Sequence, residues 1–201
     1  SLKSTNYYHP TVDAINKSEM LPAALRFTSQ ELTLTAEMVD YHFSQINRLT
    51  AIMNEAPTAQ LYFARAMEFA IIKDYASAID DCTKAIVIAD KELEAVLCFC
   101  RANWRYRLEE VDYELMHRDY DQVLRLQPDF SFALYNKANI LCAQREYKDA
   151  INYYTKAIAI DRDFAEAYFN RGPTYIYTGE NEKGLAELST AGEPGIYQAY
   201  N

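Results

Sequence analysis

Four similar octets decide how this chain folds: Tyr62-Phe-Ala-Arg-Ala-Met-Glu-Phe69, Cys98-Phe-Cys-Arg-Ala-Asn-Trp-Arg105, Leu134-Tyr-Asn-Lys-Ala-Asn-Ile-Leu141 and Tyr168-Phe-Asn-Arg-Gly-Pro-Thr-Tyr175. Their small residues, Ala66, Ala102, Ala138 and Gly172, stand 36, 36 and 34 apart. A second pattern follows each octet: Ala78-x3-Cys82-x2-Ala85, Met116-x3-Tyr120-x2-Val123, Ala150-x3-Tyr154-x2-Ala157 and Gly184-x3-Leu188-x2-Ala191. Residues three and four apart share one face of a helix, so each pair of patterns reads as two helices turned toward one another. A small residue on each helix lets the two backbones approach closely. Ala66 is therefore expected opposite Ala78, and Ala138 opposite Ala150. One hairpin cannot bury its apolar face alone, so neighbouring hairpins must stack into a continuous core.

Over about Pro57 to Ala191 these patterns resemble the tetratricopeptide repeat, W-x2-L-G-x2-Y, then A-x3-F, then P, with a period of 34 residues. The resemblance implies an all-α fold, a right-handed superhelical stack of helix-turn-helix hairpins, or α-α solenoid. The repeats are expected over about 57–92, 93–130, 131–164 and 165–191. In that family the first helix of each hairpin lines a concave groove. The resemblance thus places Phe63, Phe99, Tyr135 and Phe169 there, one aromatic per repeat, with Asn103, Asn136, Asn139 and Asn170 alongside. An Asn side chain both donates and accepts, which suits a peptide backbone and ignores the peptide's sequence. The alternative is that the asparagines bridge adjacent repeats and the aromatics are packing between them. The family's carboxylate clamp for chaperone tails is rejected, because Phe99, Glu166 and Asn170 hold the places where it needs cations. A basic ladder, Arg65, Arg101, Lys137 and Arg171, runs in step with the small residues. It reads as structural, with stems in the seam and charged ends paired to acids such as Asp80 or Asp81; anion contact at the groove edge is the alternative.

Two repeats depart from the pattern. In the second, Trp104 comes one residue early, Arg105 stands where Tyr or Leu is expected, and the Leu108 to Tyr113 turn is long. In the fourth, Pro173 falls inside the first helix and removes the bond to the Phe169 carbonyl, at about 3 kcal/mol in an ordinary helix interior. A kink or a late helix start is expected there.

Before the repeats, Met38, Tyr41, His42, Ile46, Leu49 and Met53 keep helical spacing, and Thr35 is a suitable cap. A packing helix over 35–56 should shield the first repeat. Residues 1–34, with Pro10, Pro22 and scattered Ser and Thr, read as an extended or partly disordered arm, with a short helix around 11–20. The arm either serves a missing upstream domain or lies in the groove of its own or a neighbouring stack. Residues 192–201 read as the start of a truncated capping helix, which suggests a piece of a longer protein.

Composition excludes several functions. The formal charge is −9, and a nucleic-acid surface needs clustered Lys and Arg. No apolar run approaches the roughly 18 to 20 residues that span a bilayer. All five glycines fall from Gly172 onward, so neither a P-loop nor a dinucleotide fingerprint can form before it. His9, His42 and His117 are scattered and no metal-ligand spacing occurs, so neither metal nor cofactor is expected. Cys82, Cys98, Cys100 and Cys142 read as free, buried thiols. Glu109-Glu110 and Asp80-Asp81 read as solvated surface, and nothing in the spacing makes Cys98 or Cys100 with His117 a thiol and base. The expected function is therefore non-catalytic: a scaffold that binds an extended polypeptide in its groove or a partner subunit on its stacked faces. A structural spacer or self-assembling unit, with homo-oligomers, and a regulatory domain attached to an enzyme are the alternatives.

Overall fold

The computed structural model describes residues 34–191, with side chains through 189. The expected arm over 1–34, its helix around 11–20 and the capping helix over 192–201 lie almost wholly outside these residues. Among the described residues the chain is all helix and connection, a stack of helical hairpins of the α-α solenoid class, in two compact units, 34–126 and 127–191.

The first unit holds α1 (Ala36–Glu55), α2 (Ala59–Ile71), α3 (Tyr75–Ile88), α4 (Lys91–Arg105) and α5 (Tyr113–Leu126). Each start is fixed locally by a side-chain oxygen that takes an otherwise orphaned N–H. Thr35 accepts from Met38 at 3.2 Å, Thr58 from Leu61 at 3.1 Å, Asp74 from Ser77 at 3.2 Å, Asp90 from Leu93 at 2.8 Å and Asp112 from Leu115 at 3.1 Å. Helices α2 and α3 form one hairpin, α4 and α5 the next. Their seam holds Phe63, Ala66, Ala78, Cys82, Ala85, Leu97, Cys100 and Trp104 in one cluster. The small residues of the repeat, Ala66, Ala78 and Ala102, are fully buried, as close approach of the backbones requires. Helix α1 buries Ile46, Leu49 and Met53. Leu49-Thr50 stands in the same register as Cys82-Thr83 of α3, so α1 fills the slot of a second helix against α2. The connection between α4 and α5 spans 106–112, against 72–74 within the first hairpin, and Trp104, early in the pattern, is buried.

The second unit holds α6 (Ser131–Ala143), α7 (Tyr147–Ile160), α8 (Ala165–Tyr177) and α9 (Asn181–Ala191). Helix α6 is buried on nearly every side, from Ser131 to Cys142, consistent with an apolar sequence that shows no single stripe. A string of rings fastens α6 to α8: Phe164 lies 5.3 Å from Phe132 and 4.8 Å from Tyr135. Between α8 and α9 the backbones come closest at Gly172 and Gly184. A Cβ on Gly184 would stand 2.6 Å from the Gly172 carbonyl oxygen.

The late helix start expected from Pro173 is not found. Helix α8 begins at Ala165 and runs through the proline to Tyr177. One residue on, the Thr174 hydroxyl donates to the Asn170 carbonyl at 2.7 Å. Helices α2, α6 and α8 end in the same left-handed turn, at Lys73 (φ 65°), Arg145 (φ 63°) and Gly179 (φ 88°). In each, the next N–H closes back on the helix: Asp74 to Phe69, Glu146 to Leu141 and Glu180 to Tyr175, all at 2.8–2.9 Å.

Candidate functional site

The first helices α2, α4, α6 and α8 carry the eight residues assigned to a groove. Phe63, Phe99, Asn103, Tyr135, Asn136 and Asn139 are almost wholly buried, Asn170 is 8% exposed and Phe169 is half-buried. The asparagines are engaged inside the stack, as Asn103, Asn139 and Asn170 show. The Tyr120 hydroxyl donates to Asn103 Oδ1 at 2.6 Å, and the Tyr154 hydroxyl donates to Asn139 Oδ1. Asn170 Nδ2 donates to the Tyr135 hydroxyl at 2.9 Å and to Asn139 Oδ1 at 3.1 Å, joining the third hairpin to the fourth. Burial pushes the Tyr135 and Tyr154 hydroxyls well up from their ordinary value, so both remain neutral at physiological pH. The partners vary together along the chain. The register of Asn103 and Tyr120 is Met67 and Cys82 in the first hairpin and Pro173 and Leu188 in the fourth, so the polar pair belongs to the two middle hairpins. A buried amide with its hydroxyl partner present is stable; either alone would be costly.

The basic ladder forms a second repeated device. Arg65 grips Asp81 through Nε at 2.7 Å and Nη2 at 2.6 Å, while Nη1 donates to Thr50 Oγ1 at 3.1 Å. Arg101 does the same with Asp119 (2.9 and 2.6 Å) and Thr83 (3.1 Å), and Arg171 with Glu187 (3.3 and 2.6 Å) and Thr155 (3.1 Å). Each threonine hydroxyl in turn donates to its own helix, to Ile46, Ile79 or Ile151. Each guanidinium therefore locks the second helix of its own hairpin to the preceding helix, with the planar fork geometry that Arg supplies and Lys does not. The hydrogen bond to Asp81 raises the Arg65 pKa further. Asp81 is the acid engaged; Asp80 pairs instead with Lys84, on the surface. The anion-contact alternative finds these guanidinium forks already filled by carboxylates. In the third repeat the device changes: Lys137 takes the Arg place, Tyr153 the carboxylate place, and the ammonium sits 4.9 Å from the Tyr153 ring centroid. The threonine partners escaped the sequence reading, although the signal was there. Thr83 and Thr155 each directly follow the core residue of the second helix, as Thr50 follows Leu49.

Two cavities repeat in one register. The first, about 160 Å³, lies between the first two hairpins and is walled by Met67, Ala70, Ile71, Tyr75, Asn103 and Trp104. The second, about 230 Å³, lies between the last two and is walled by Cys142, Tyr147, Asn170, Pro173, Thr174 and Tyr177. Ala70 corresponds to Cys142, Tyr75 to Tyr147, Asn103 to Pro173 and Trp104 to Thr174. Tyr177, 69% exposed, stacks on Tyr147 with ring centroids 4.8 Å apart and planes 9° from parallel.

The groups weighed as catalytic are committed elsewhere. All four thiols are free and buried, and desolvation pushes Cys98 from its ordinary 9.0 to about 12 and raises Cys82, Cys100 and Cys142 as well. A thiol so raised is no thiolate nucleophile at neutral pH. Among the described residues, no group of three or more His, Cys, Asp or Glu side chains is placed to hold a metal ion. No described helix is long and apolar enough to cross a membrane.

Paired helices with small residues at their crossing, repeated at 34–36 residues and locked by an arginine in the first, second and fourth hairpins, define a helical-hairpin repeat protein. Residues 119–152 match the tetratricopeptide repeat and residues 138–179 match the TPR repeat. It is 24% identical over 118 residues to the photosystem I assembly protein Ycf3 of Acaryochloris marina, covering 57% of this chain and 70% of that protein. It is 41% identical over 65 residues to a UDP-N-acetylglucosamine–peptide N-acetylglucosaminyltransferase of Giardia intestinalis, but this covers only 4% of that enzyme. The fold is similar to crystal structures of MamA. One is matched at a TM-score of 0.71 and 16% identity over 85% of this chain and all of that one; another, from Desulfovibrio magneticus RS-1, at 0.64 and 10% over 84% and 99%. Stacks of this kind are scaffolds for protein interaction or assembly.

Proposed function

We propose that this chain is a non-catalytic scaffold that holds an extended segment of another polypeptide, or a partner subunit, along the first helices of its hairpins. The observation that carries the reading is the recurrence of one cavity, in one register, between the first and second hairpins and again between the third and fourth. Each cavity offers, within its own unit, a place for one side chain of a bound polypeptide. Each cavity, about 160 or 230 Å³, is below the roughly 300 Å³ at which small-molecule sites begin, a size that suits a side chain. Of the asparagine and aromatic rows, Asn103 lines the first cavity and Asn170 the second; Phe63, Phe99, Tyr135, Asn136, Asn139 and Phe169 stand on the same first helices.

The test uses the full chain against a displayed peptide library, with selected peptides measured by fluorescence polarisation. Filling the first cavity with Ala70→Trp or removing the stacked ring of the second with Tyr177→Ala should weaken a selected peptide about tenfold, about 1.4 kcal/mol. Val87→Ser, at an 81% exposed position near the end of α3, should leave it unchanged. Equal binding to both cavity variants and wild type would show that the peptides use another face.

A further inference from the structure

The cavity between the last two hairpins differs from the first in what its wall leaves free. It measures about 230 Å³ against about 160 Å³, and where the first has the indole of Trp104 in its wall, the second has the smaller Thr174. The buried polar side chains of this wall have committed their hydrogens inside the stack. The Thr174 hydroxyl donates to the Asn170 carbonyl at 2.7 Å, and the Tyr154 hydroxyl donates to Asn139 Oδ1. Asn170 Nδ2 donates to the Tyr135 hydroxyl at 2.9 Å and to Asn139 Oδ1 at 3.1 Å. Cys142 Sγ lies 3.4 Å from Thr174 Oγ1 and 3.6 Å from the Tyr154 hydroxyl oxygen. Both hydroxyls donate elsewhere, so the thiol is the donor in these contacts.

What remains is an acceptor. Asn170 is 8% exposed, and among the described residues its Oδ1 receives no hydrogen bond. A ligand that excludes water from this oxygen must bring a donor of its own. Among the described residues, none that lines the cavity is charged, so a Lys or Arg side chain would enter with no carboxylate to pair with. A hydroxyl or amide side chain would bring lone pairs for which the buried wall has no hydrogen left. The indole of tryptophan is uncharged and only donates. Its flat ring also suits a wall that carries the stacked rings of Tyr147 and Tyr177.

We infer that the cavity between the last two hairpins receives a tryptophan side chain of the bound polypeptide, with its N–H donated to Asn170 Oδ1. The inference rests on the scaffold reading and names the residue that the second cavity selects. In the first cavity the chain holds an indole of its own, so the two places admit different side chains.

The full chain is titrated with N-acetyltryptophanamide, followed by the nuclear magnetic resonance signals of the Thr174 methyl and the Tyr177 ring. Both signals should shift. The matching amide of benzothienylalanine, which has sulfur in place of the indole N–H, should bind at least about tenfold more weakly, and N-acetylargininamide should leave the signals in place. Tyr177→Ala should weaken the tryptophan amide severalfold with the helical circular dichroism unchanged. Equal affinity for the two ring amides, equal or tighter binding of the arginine amide, or shifts that bypass Thr174 and Tyr177 would overturn the inference. Library-selected peptides that need Tyr177 yet carry no tryptophan would overturn it too, and would leave the scaffold reading standing. Peptides indifferent to both Ala70→Trp and Tyr177→Ala would sink the scaffold reading alone, since the amides probe the cavity without a peptide.

Discussion

Replacing Arg65 with methionine should cost about 3–5 kcal/mol, the loss that follows when one partner of a buried ion pair is removed and the other stays. The figure comes from what remains behind. The Asp81 side chain is 2% exposed and receives its two short bonds, 2.7 and 2.6 Å, from this one guanidinium. Thr50 contributes little to the loss, because its hydroxyl keeps its bond to the Ile46 carbonyl when Nη1 is gone. The methionine also preserves most of the stem packing, so the measured cost isolates the stranded carboxylate. Arg65→Met/Asp81→Leu should therefore recover about 2 kcal/mol or more, since an apolar pair in place of a buried ion pair is often neutral. Urea unfolding of both variants, followed by circular dichroism, gives the numbers. If Arg65→Met costs less than about 1 kcal/mol, the worth of an exposed surface pair, the interlock is not buried and the reasoning fails. Arg101→Met should cost less than Arg65→Met, because Arg105 Nε remains 3.6 Å from Asp119.

Gly184→Ala adds a Cβ 2.6 Å from a backbone oxygen; overpacking of about 1–3 kcal/mol outweighs the helix gain of about 1 kcal/mol, so the melting temperature should fall. Arg145→Gly should raise stability by about 0.5–1 kcal/mol in a denaturant titration, because Arg145 is exposed and sits at φ 63°. Asn139→Ala strips the acceptor from Tyr154 and from Asn170 and should cost about 2–3 kcal/mol in the same assay. Cys98, held neutral at a folded value of about 12 against an ordinary 9.0, contributes stability that is fully present below pH 9 and is lost as pH rises toward 12. Between those limits Cys98→Ala should flatten the fall of stability by about 1.4 kcal/mol per pH unit, as seen in denaturant titrations across that range.

Much of the fold was legible because small residues and helix spacing are local quantities that the sequence states directly. Ala66, Ala78, Ala138 and Ala150 could be read as crossing points, and all four are fully buried. The basic ladder could be read as structural from register, but not which of Asp80 and Asp81 it pairs with, and Asp81, read with Asp80 as solvated surface, is buried. Pro173 misled the reading only as to where α8 starts. A proline's cost in an isolated helix is fixed, but a helix packed against its neighbours starts at Ala165 regardless. The site was less legible. Register placed eight residues on the first helices, yet whether an asparagine there meets solvent or a tyrosine depends on the residue opposite, from another helix or another hairpin.

What the sequence determined by itself was the hairpin: its period, its crossing residues and, at Thr35, the cap of the helix before it. Tertiary structure decided the partners. Thr50 joins Arg65 and Asp81, Asn170 reaches Tyr135 and Asn139, and two cavities open in the same register. Helix formation and capping are set within a few residues along the chain. A buried hydrogen bond or a cavity is set by which side chains two stacked hairpins bring together, and that is fixed only when the hairpins pack.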